Sequence, residues 1–435
     1  MLSSVTNIFK VPELRKKIAF TLAMVVLYRL GAHLQVPGID HLQVKQFQKS
    51  AEQQGTIGFL NLFSGGALSQ FAIFALGIMP YITASIIVQI LGVVIPKLEE
   101  WQNQGAVGQR KITQWTRYIA MAIALLQATG LTFLFGKGGG ATLLGGRGRG
   151  INVVLIPGFP LLRVLLVVFT LTAGTAVLMW MGELITQRGI GNGMSILIFA
   201  SVVSRLPYDY YRILKEKHFV VFAVLVAISL ATLVAIVFIE NGQRRIPVQF
   251  AKRVQGRRMY GGQSTYIPLK VNQAGVVPII FASSVLLLPA LLTNLIHADW
   301  LQKVIDTYVL DNQNWLHLII YGFMIVAFAY FYNAIAFDPI KQADQIRKQG
   351  GFIPGIRPGR QTESHLSKIL NRITLPGALF IAAIALLPSI VLAIAKVNNF
   401  PFGGTTVLIA VGVALETMKQ IDSQLMLRNY EGFLK

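Results

Sequence analysis

Residues 77–85, GIMPYITAS, return far downstream as GVVPIIFAS at residues 275–283. Both copies read Gly-x-x-Pro-x-Ile-x-Ala-Ser, and both lie inside a long apolar run. A second pair follows in the same order along the chain, with GMSILI at residues 193–198 and GTTVLI at residues 404–409. Gly and Pro are common in membrane helices, so chance could account for one short match. Two matches in a conserved order instead favour a duplicated architecture.

The composition points to a membrane protein. Of the 435 residues, 54% are hydrophobic and only 13% are charged, whereas soluble domains have about 25% charged residues. The net charge of +21 is large for so few charges, which is typical of basic cytoplasmic loops and offers a surface to anionic partners. The absence of cysteine excludes disulfides, thiolate metal sites and cysteine nucleophiles.

Apolar runs long enough to cross a bilayer predict ten membrane spans. They lie near residues 18–36, 72–95, 118–135, 162–181, 193–206, 219–239, 275–295, 315–337, 374–395 and 404–418. The repeated motifs fall in the second and seventh spans and in the short fifth and tenth spans. Five spans per half is an odd number, so the second half must be inverted relative to the first. The predicted fold is an all-α polytopic membrane protein with ten transmembrane helices in two inverted five-helix halves around a central pore.

This division sets the expected domains. Residues 1–206 form the N-terminal half, residues 207–218 an outer hinge loop, and residues 219–435 the C-terminal half. Most lysines and arginines fall on one side when both termini are placed in the cytoplasm, as the positive-inside rule requires. Two inner loops, 240–270 and 338–374, are long and rich in basic residues. The basic residues serve either as a topology signal or as a docking platform for an anionic partner. The length of the two loops and the density of their positive charge favour docking.

Residues 56–70, TIGFLNLFSGGALSQ, are partly apolar but too short to cross the membrane. Their paired glycines would break a helix. The segment could lie on the outer surface as an interfacial helix or fold back into the bundle, where irregular backbone is tolerated if protein or a wet cavity surrounds it. Position alone favours neither arrangement.

The repeats place isoleucine, not charge, at the expected axis. Ion-coupled transporters place ionisable residues within their spans, but here only Arg29 lies clearly inside one, where snorkelling or a backbone contact is expected. No HExxH motif, phosphate-binding loop or paired catalytic acids occur. Ile82 and Ile280 come from one motif pair, and Ile198 and Ile409 from the other. An apolar constriction of this kind excludes water and ions by dewetting and suits a large, flexible substrate.

Across essentially its whole length, the chain resembles the SecY/Sec61-alpha family of protein-conducting channels. The resemblance rests on FSGGALS at residues 63–69, GIMPYITAS at 77–85, RGIGNG at 188–193, RRMYGGQST at 257–265, LKVN at 269–272 and PGIRPG at 354–359.

The resemblance implies specific roles for residues of this chain. The pore ring would comprise Ile78, Ile82, Met194, Ile198, Ile280 and Ile409. Residues 56–70 would be a plug that closes the outer funnel, with Phe63, Ser64, Gly65, Gly66 and Leu68 at its centre. The second and seventh spans would border a lateral gate with Thr83, Gln89, Asn272 and Leu288 at matching positions. Cytoplasmic partners would bind Lys252, Arg253, Arg257, Arg258 and Arg357.

The resemblance also implies a function and partners. The expected function is to pass unfolded polypeptides across the cytoplasmic membrane and to release transmembrane segments sideways into lipid. The implied partners are SecE, SecG, the SecA motor ATPase, the ribosome, and clients with signal sequences. The chain is expected not to be an enzyme and to use neither a metal nor another cofactor. The alternative is a secondary transporter of a small solute, which a buried carboxylate would have favoured. The acidic residues near the spans, Glu183, Glu240, Asp338 and Glu416, instead lie at or near span ends.

Overall fold

The computed structural model describes residues 11–40, 42–44, 61, 64–136, 160–216, 219–250, 253–255, 258–260, 264–293, 314–395 and 404–432. Helices dominate this part of the chain. In chain order they are α1 (Pro12–Gly31), α2 (Met79–Val94), α3 (Pro96–Asn103), α4 (Ala106–Gly136), α5 (Leu161–Arg188), α6 (Gly193–Glu216), α7 (Phe219–Asn241), α8 (Val277–Thr293), α9 (Trp315–Ala336), α10 (Pro339–Lys348), α11 (Arg360–Ala395) and α12 (Gly404–Gly432).

A helix overlaps each of the ten apolar runs that the sequence predicts as spans. By length and hydropathy, four helices among the described residues are suited to cross a membrane. The pair α2 and α3 would make a fifth, but it is bent by 99° at its break. Ile95 is extended there because it precedes Pro96, whose ring disfavours helical backbone at the preceding residue. The polytopic helical class is confirmed, whereas the count of ten spans is not.

The repeated motifs adopt the same local structure in both copies. Gly77 and Gly275 each have φ +59°, a left-handed conformation that glycine adopts without a steric penalty. Helices α2 and α8 begin two residues after these glycines, with Pro80 and Pro278 in their first turns, where the missing N–H of proline costs nothing. In the second pair, α6 and α12 both begin at the motif glycine. The sequence repeat is therefore also a repeat of chain geometry.

Helix packing follows the same duplication. In the first half α2 contacts α4 and α4 contacts α5, and in the second half α8 contacts α9 and α9 contacts α11. The halves meet where α2 contacts α8 and α6 contacts α12. The largest group of buried apolar side chains lies at this junction and draws on both halves. Burial of this shared surface joins the halves.

The two inner segments predicted as loops contain β-strands. Strand β1 (Gln243–Phe250) pairs antiparallel with β4 (Ser264–Lys270) and with β5 (Gly351–Phe352), and β2 (Arg253–Gln255) pairs with β3 (Arg258–Tyr260). The helical class stands, and these strands are a local addition to it. In β1, buried Ile246 and Val248 alternate with exposed neighbours, as in a sheet that is covered on one face.

One small core joins the two inner segments into a single folded unit. Its buried side chains come from β1, β4, α10, α11 and the turn after β5: Ile246, Val248, Leu269, Ala343, Ile346, Ile353, Leu366 and Ile369. We call strands β1–β5, α10 and the first turns of α11 the sheet subdomain. Strand β5 and helix α11, from the second segment, complete the sheet and core begun by β1 and β4 of the first.

Candidate functional site

The six side chains expected to line a pore lie together at the junction of the halves. Five are buried in the shared apolar cluster and the sixth, Ile82, packs against it half-buried. They come from the start of α2, from α6, from α8 and from α12, and we call them the collar: Ile78, Ile82, Met194, Ile198, Ile280 and Ile409. Such an arrangement offers no charge to select a small ion and can exclude water by its apolar lining.

The motif geometry explains how the collar residues converge. Ile78 stands just before α2, and the N–H of Ile82 donates to its carbonyl at 3.1 Å, so the two side chains are stacked one turn apart. In the second copy, the N–H of Ile280 donates in the same way to the carbonyl of Val276 at 3.4 Å. Met194 and Ile198 are likewise one turn apart near the start of α6. Each motif thus directs apolar side chains from a helix start toward the common junction.

The described part of the predicted plug segment is buried inside the helical bundle. Ser64 is 1%, Ala67 0% and Leu68 3% exposed. Ala67 belongs to the cluster that contains the collar, and Leu68 belongs to a second cluster with α4 and α5. Residues 56–60 and Phe63 lie outside the described residues. A buried irregular segment agrees with a chain that folds back into the bundle better than with an interfacial helix.

Arg29 contacts the backbone of this segment. Its Nη1 donates to the carbonyl oxygen of Gly65 at 2.8 Å. Of the two arrangements expected for Arg29, snorkelling or a backbone contact, the structure has the backbone contact. The hydroxyl of Tyr28 donates to the carbonyl of Ser64 at 3.2 Å and lies 2.5 Å from Oγ of Ser201 on α6. The C-terminal end of α1 therefore holds the segment at two consecutive carbonyls.

The four predicted gate residues lie in or next to α2 and α8: Thr83 and Gln89 in α2, Leu288 in α8 and Asn272 just before α8. Thr83 donates from Oγ1 to the carbonyl of Met79, and exposed Gln89 donates from Nε2 to Oγ of Ser85, both within α2. Leu288 lies in α8, and its side chain is outside the described residues.

The hydrogen bonds of Asn272 are formed with its own half of the chain. It is buried just before α8, where its Nδ2 donates to Oε1 of Glu240 at 2.8 Å and to the carbonyl of Gly275 at 3.2 Å. The hydrogen bonds that the structure gives to the predicted gate residues therefore remain within one half each, and α2 and α8 both contribute apolar side chains to the shared cluster.

The predicted partner-binding residues belong to the sheet subdomain where they are described. Arg357 is exposed in the turn between β5 and α11, and its carbonyl accepts from Oγ1 of buried Thr362 at 3.0 Å. Arg253 and Arg258 lie in the paired strands β2 and β3, and only their backbone is described. Lys252 and Arg257 lie outside the described residues. The subdomain thus fixes the backbone of Arg357 and leaves its guanidinium accessible.

Among the described residues, no group of three or more His, Cys, Asp or Glu is placed to hold a metal ion. The shortest ion pair in the described part of the chain joins α4 to α5, where the guanidinium of Arg117 binds the carboxylate of Glu183 through two hydrogen bonds of 2.5 and 2.6 Å. This bidentate geometry fixes two helices of the first half relative to each other.

Sequence reasoning missed Tyr28 and Ser201 as contacts of the plug segment. Nothing in the local pattern marks either residue, because their roles depend on three elements that meet only in the folded chain. It also missed the strands of the sheet subdomain. The alternation of buried Ile246 and Val248 with exposed neighbours in β1 is a period-2 signal that could have revealed them.

Comparisons with known proteins agree with this architecture. A family model named SecY matches residues 72–418. The protein translocase subunit SecY of Mycobacterium bovis is 51% identical over 448 aligned positions that cover 100% of both chains. The protein of the same name from Streptomyces coelicolor is 50% identical over 449 positions with the same coverage.

Solved structures share the fold at low sequence identity. One, described as the structure of a protein conducting channel, has a TM-score of 0.61 at 18% identity and covers 94% of this chain and 91% of its own. Sec61 in the canine ribosome–channel complex from the endoplasmic reticulum has a TM-score of 0.58 at 15% identity with the same coverage. The family model and the full-length relatives carry the assignment: the chain belongs to the SecY family.

Proposed function

We propose that this chain is a membrane-embedded channel that conducts unfolded polypeptides and releases their apolar segments sideways into lipid. The observation that carries the proposal is the collar, in which six apolar side chains from four helices converge where the repeats meet. The relatives that match the whole chain are named protein translocase subunits. A transporter for a small polar solute would need polar or charged ligands at this point, and the collar offers none.

The collar can seal and conduct by the same side chains. With no client, the apolar lining keeps water and ions out. When a polypeptide enters, isoleucine and methionine side chains part by rotamer changes and regain apolar contact with the chain that replaces them. Because these contacts need no particular partner atoms, a collar of this type accepts clients of varied sequence.

The buried segment that contains Ser64 and Gly65 would act as the plug. It lies against the collar cluster, so a crossing chain must displace it. Opening between α2 and α8 would supply the lateral gate. These helices belong to different halves, and their contact can part without breaking either half.

The partners follow from the family and from the charge of the chain. The channel would work with other translocon components and with the ribosome, as the neighbouring Sec61 structure does in its described complex. SecE and SecG would be companion subunits, and SecA or the ribosome would dock on the sheet subdomain through Arg357 and the basic residues of β2 and β3. Both termini and the sheet subdomain would face the cytoplasm, and the driving energy would be spent by the partner.

Crosslinking of a stalled client tests the function directly. Photoreactive residues are placed singly at Ile82, Ile198, Ile280 and Ile409, with Leu126 of α4, 68% exposed, as the outward-facing control. In membrane vesicles with the complete export machinery, a client arrested midway is expected to form adducts at the four collar positions and not at Leu126. A small-solute transporter would give no client adducts at any of them, and adducts at Leu126 alone would place the path outside the collar.

A further inference from the structure

At the C-terminal end of α1, two side chains donate hydrogen bonds to backbone carbonyls of the plug segment. Arg29 donates to the carbonyl of Gly65 and Tyr28 to the carbonyl of Ser64, at 2.8 and 3.2 Å. The ring of Tyr28 is fully buried and stacks on Phe74 with ring centroids 5.9 Å apart. This stacking fixes the position of the Tyr28 hydroxyl before it bonds.

The local conformation of the plug segment suits this contact. Gly65 and Gly66 have φ of +63° and +92°, so the chain turns sharply directly after the Ser64 carbonyl. A Cβ on Gly65 would lie 3.0 Å from the Tyr28 hydroxyl, 3.1 Å from Nη1 of Arg29 and 3.2 Å from Cα of Ser201. Glycine therefore allows α1, α6 and the segment to approach within hydrogen-bonding distance.

Ser201 extends the contact to the helix that carries half of the collar. It is completely buried, and its Oγ, which has a single proton, lies within hydrogen-bonding distance of both the Leu197 carbonyl and the Tyr28 hydroxyl, at 2.8 and 2.5 Å. When the Tyr28 hydroxyl donates to Ser64, the Ser201 hydroxyl can donate to Tyr28. Met194 and Ile198 are on the same helix, α6. A movement of α6 that widens the collar would therefore also pull Ser201 away from Tyr28.

We propose that Tyr28, Arg29 and Ser201 form a polar latch that holds the plug segment closed and releases it when α6 moves. The proposal deepens the proposed function and rests on it, since it assumes that this segment closes the channel. Arg29 is a positioning residue that binds backbone, and a charged donor to a carbonyl makes a stronger hydrogen bond than a neutral one. Arg29 is only half-buried in the last turn of α1, so its charge can be solvated again when the latch opens.

A thiol-accessibility experiment tests the latch separately from the channel function. The chain has no cysteine, so Ser69→Cys, at a buried position of the segment, places a single reporter in the full translocon. Its rate of modification by a membrane-impermeant thiol reagent is measured alone and combined with Arg29→Ala, Tyr28→Phe or Ser201→Ala. Arg163→Ala, an exposed arginine in the first turn of α5, is the matched control.

We expect each latch variant to raise the modification rate about tenfold, the size expected for loss of one hydrogen bond to a buried group, and the control to leave it unchanged. Tyr28→Phe keeps the ring that stacks on Phe74 and removes only the hydroxyl, so its modification rate tests the latch even if Arg29→Ala fails to fold. Unchanged rates in Tyr28→Phe and Ser201→Ala would overturn the latch. Resting ion leak, measured in the same vesicles, tests the plug role separately. Faster modification with leak supports both the latch and the plug, whereas faster modification without leak means that these residues hold the segment while the collar alone seals the channel.

Discussion

At the scale of single residues, glycine shapes the proposed plug segment and isoleucine forms most of the collar. Gly65 meets two constraints together: a positive φ of +63°, and neighbours 3.0–3.2 Å from an added Cβ that would have to shift by a few tenths of an ångström. Gly66 has φ +92° and open space around it. The former is therefore fixed by packing as well as by backbone conformation. Both glycines were singled out from the sequence as helix breakers, but only the fold reveals that one of them lies against Tyr28 and Arg29.

The collar isoleucines give a direct test at this scale. Replacing Ile82 and Ile280 together with serine puts two hydroxyls into the apolar constriction, where they favour a continuous column of water. We expect the resting channel to leak ions in vesicle conductance measurements. Leucine at the same two positions keeps the apolar volume and should leave the membrane sealed. Equal conductance of the serine and leucine variants would mean that the collar does not form the seal against ions.

At the scale of elements, the sequence predicted the helices that follow a motif glycine and missed the strands between them. The starts of α6 and α12 at Gly193 and Gly404 were predictable, because the glycine and the apolar run that follows it are local signals. The strands β1 and β4 are short, basic and polar on one face. Their apolar face is covered by α10 and α11, which lie far along the chain, so local hydrophobicity indicated only a charged loop.

The sheet subdomain depends on its core, and this dependence can be measured. Leu366 of α11 is completely buried among the side chains of the two inner segments. Leu366→Ala is expected to destabilise the subdomain by about 2–5 kcal/mol, through lost transfer energy and an unfilled cavity. The measurement is the urea midpoint for proteolysis within β1 and β4.

Helix α11 also supplies the control for this substitution. Leu375 is 48% exposed on the same helix, and Leu375→Ala should shift the midpoint by about 0.5 kcal/mol or less. Equal shifts for the two variants would mean that the strands are not held by this core. A loss of client export in Leu366→Ala, with collar crosslinks to a trapped client retained, would connect the subdomain to partner docking.

At the scale of the whole molecule, apolar burial joins the two halves more strongly than charge does. The collar cluster draws buried side chains from α1, α2, α4, α5, α6, α8 and α12. Moving a large aliphatic side chain from water into such a core contributes about 1.5–3 kcal/mol. In lipid this driving force weakens and close packing takes a larger share. An apolar seam of this kind can open and close repeatedly, because the residues that the structure describes place no ion pair within the shared cluster.

One ion pair does connect the halves, between α3 and α10. Nζ of Lys341 lies 3.5 Å from Oε1 of Glu99, and both side chains are 52% exposed. Exposed pairs typically contribute about 0.2–1 kcal/mol, so this contact should adjust the relative position of the halves without locking them. A double-mutant cycle with Glu99→Gln and Lys341→Gln, followed by chemical denaturation in detergent, measures the coupling. We expect at most about 1 kcal/mol, falling toward zero in about 1 M salt, where the Debye length is about 3 Å.

A collar substitution provides the comparison that shows whether apolar packing or the ion pair contributes more to joining the halves. Ile280→Ala, at a side chain 5% exposed in the shared cluster, should cost about 2–5 kcal/mol, and the cost should not fall as salt is added, because no charge is involved. A coupling of Glu99 with Lys341 well above 2 kcal/mol, or one that salt leaves unchanged, would make the ion pair a principal link between the halves. Opening of the lateral seam would then require breaking a charge contact at the membrane surface before the apolar helices could part.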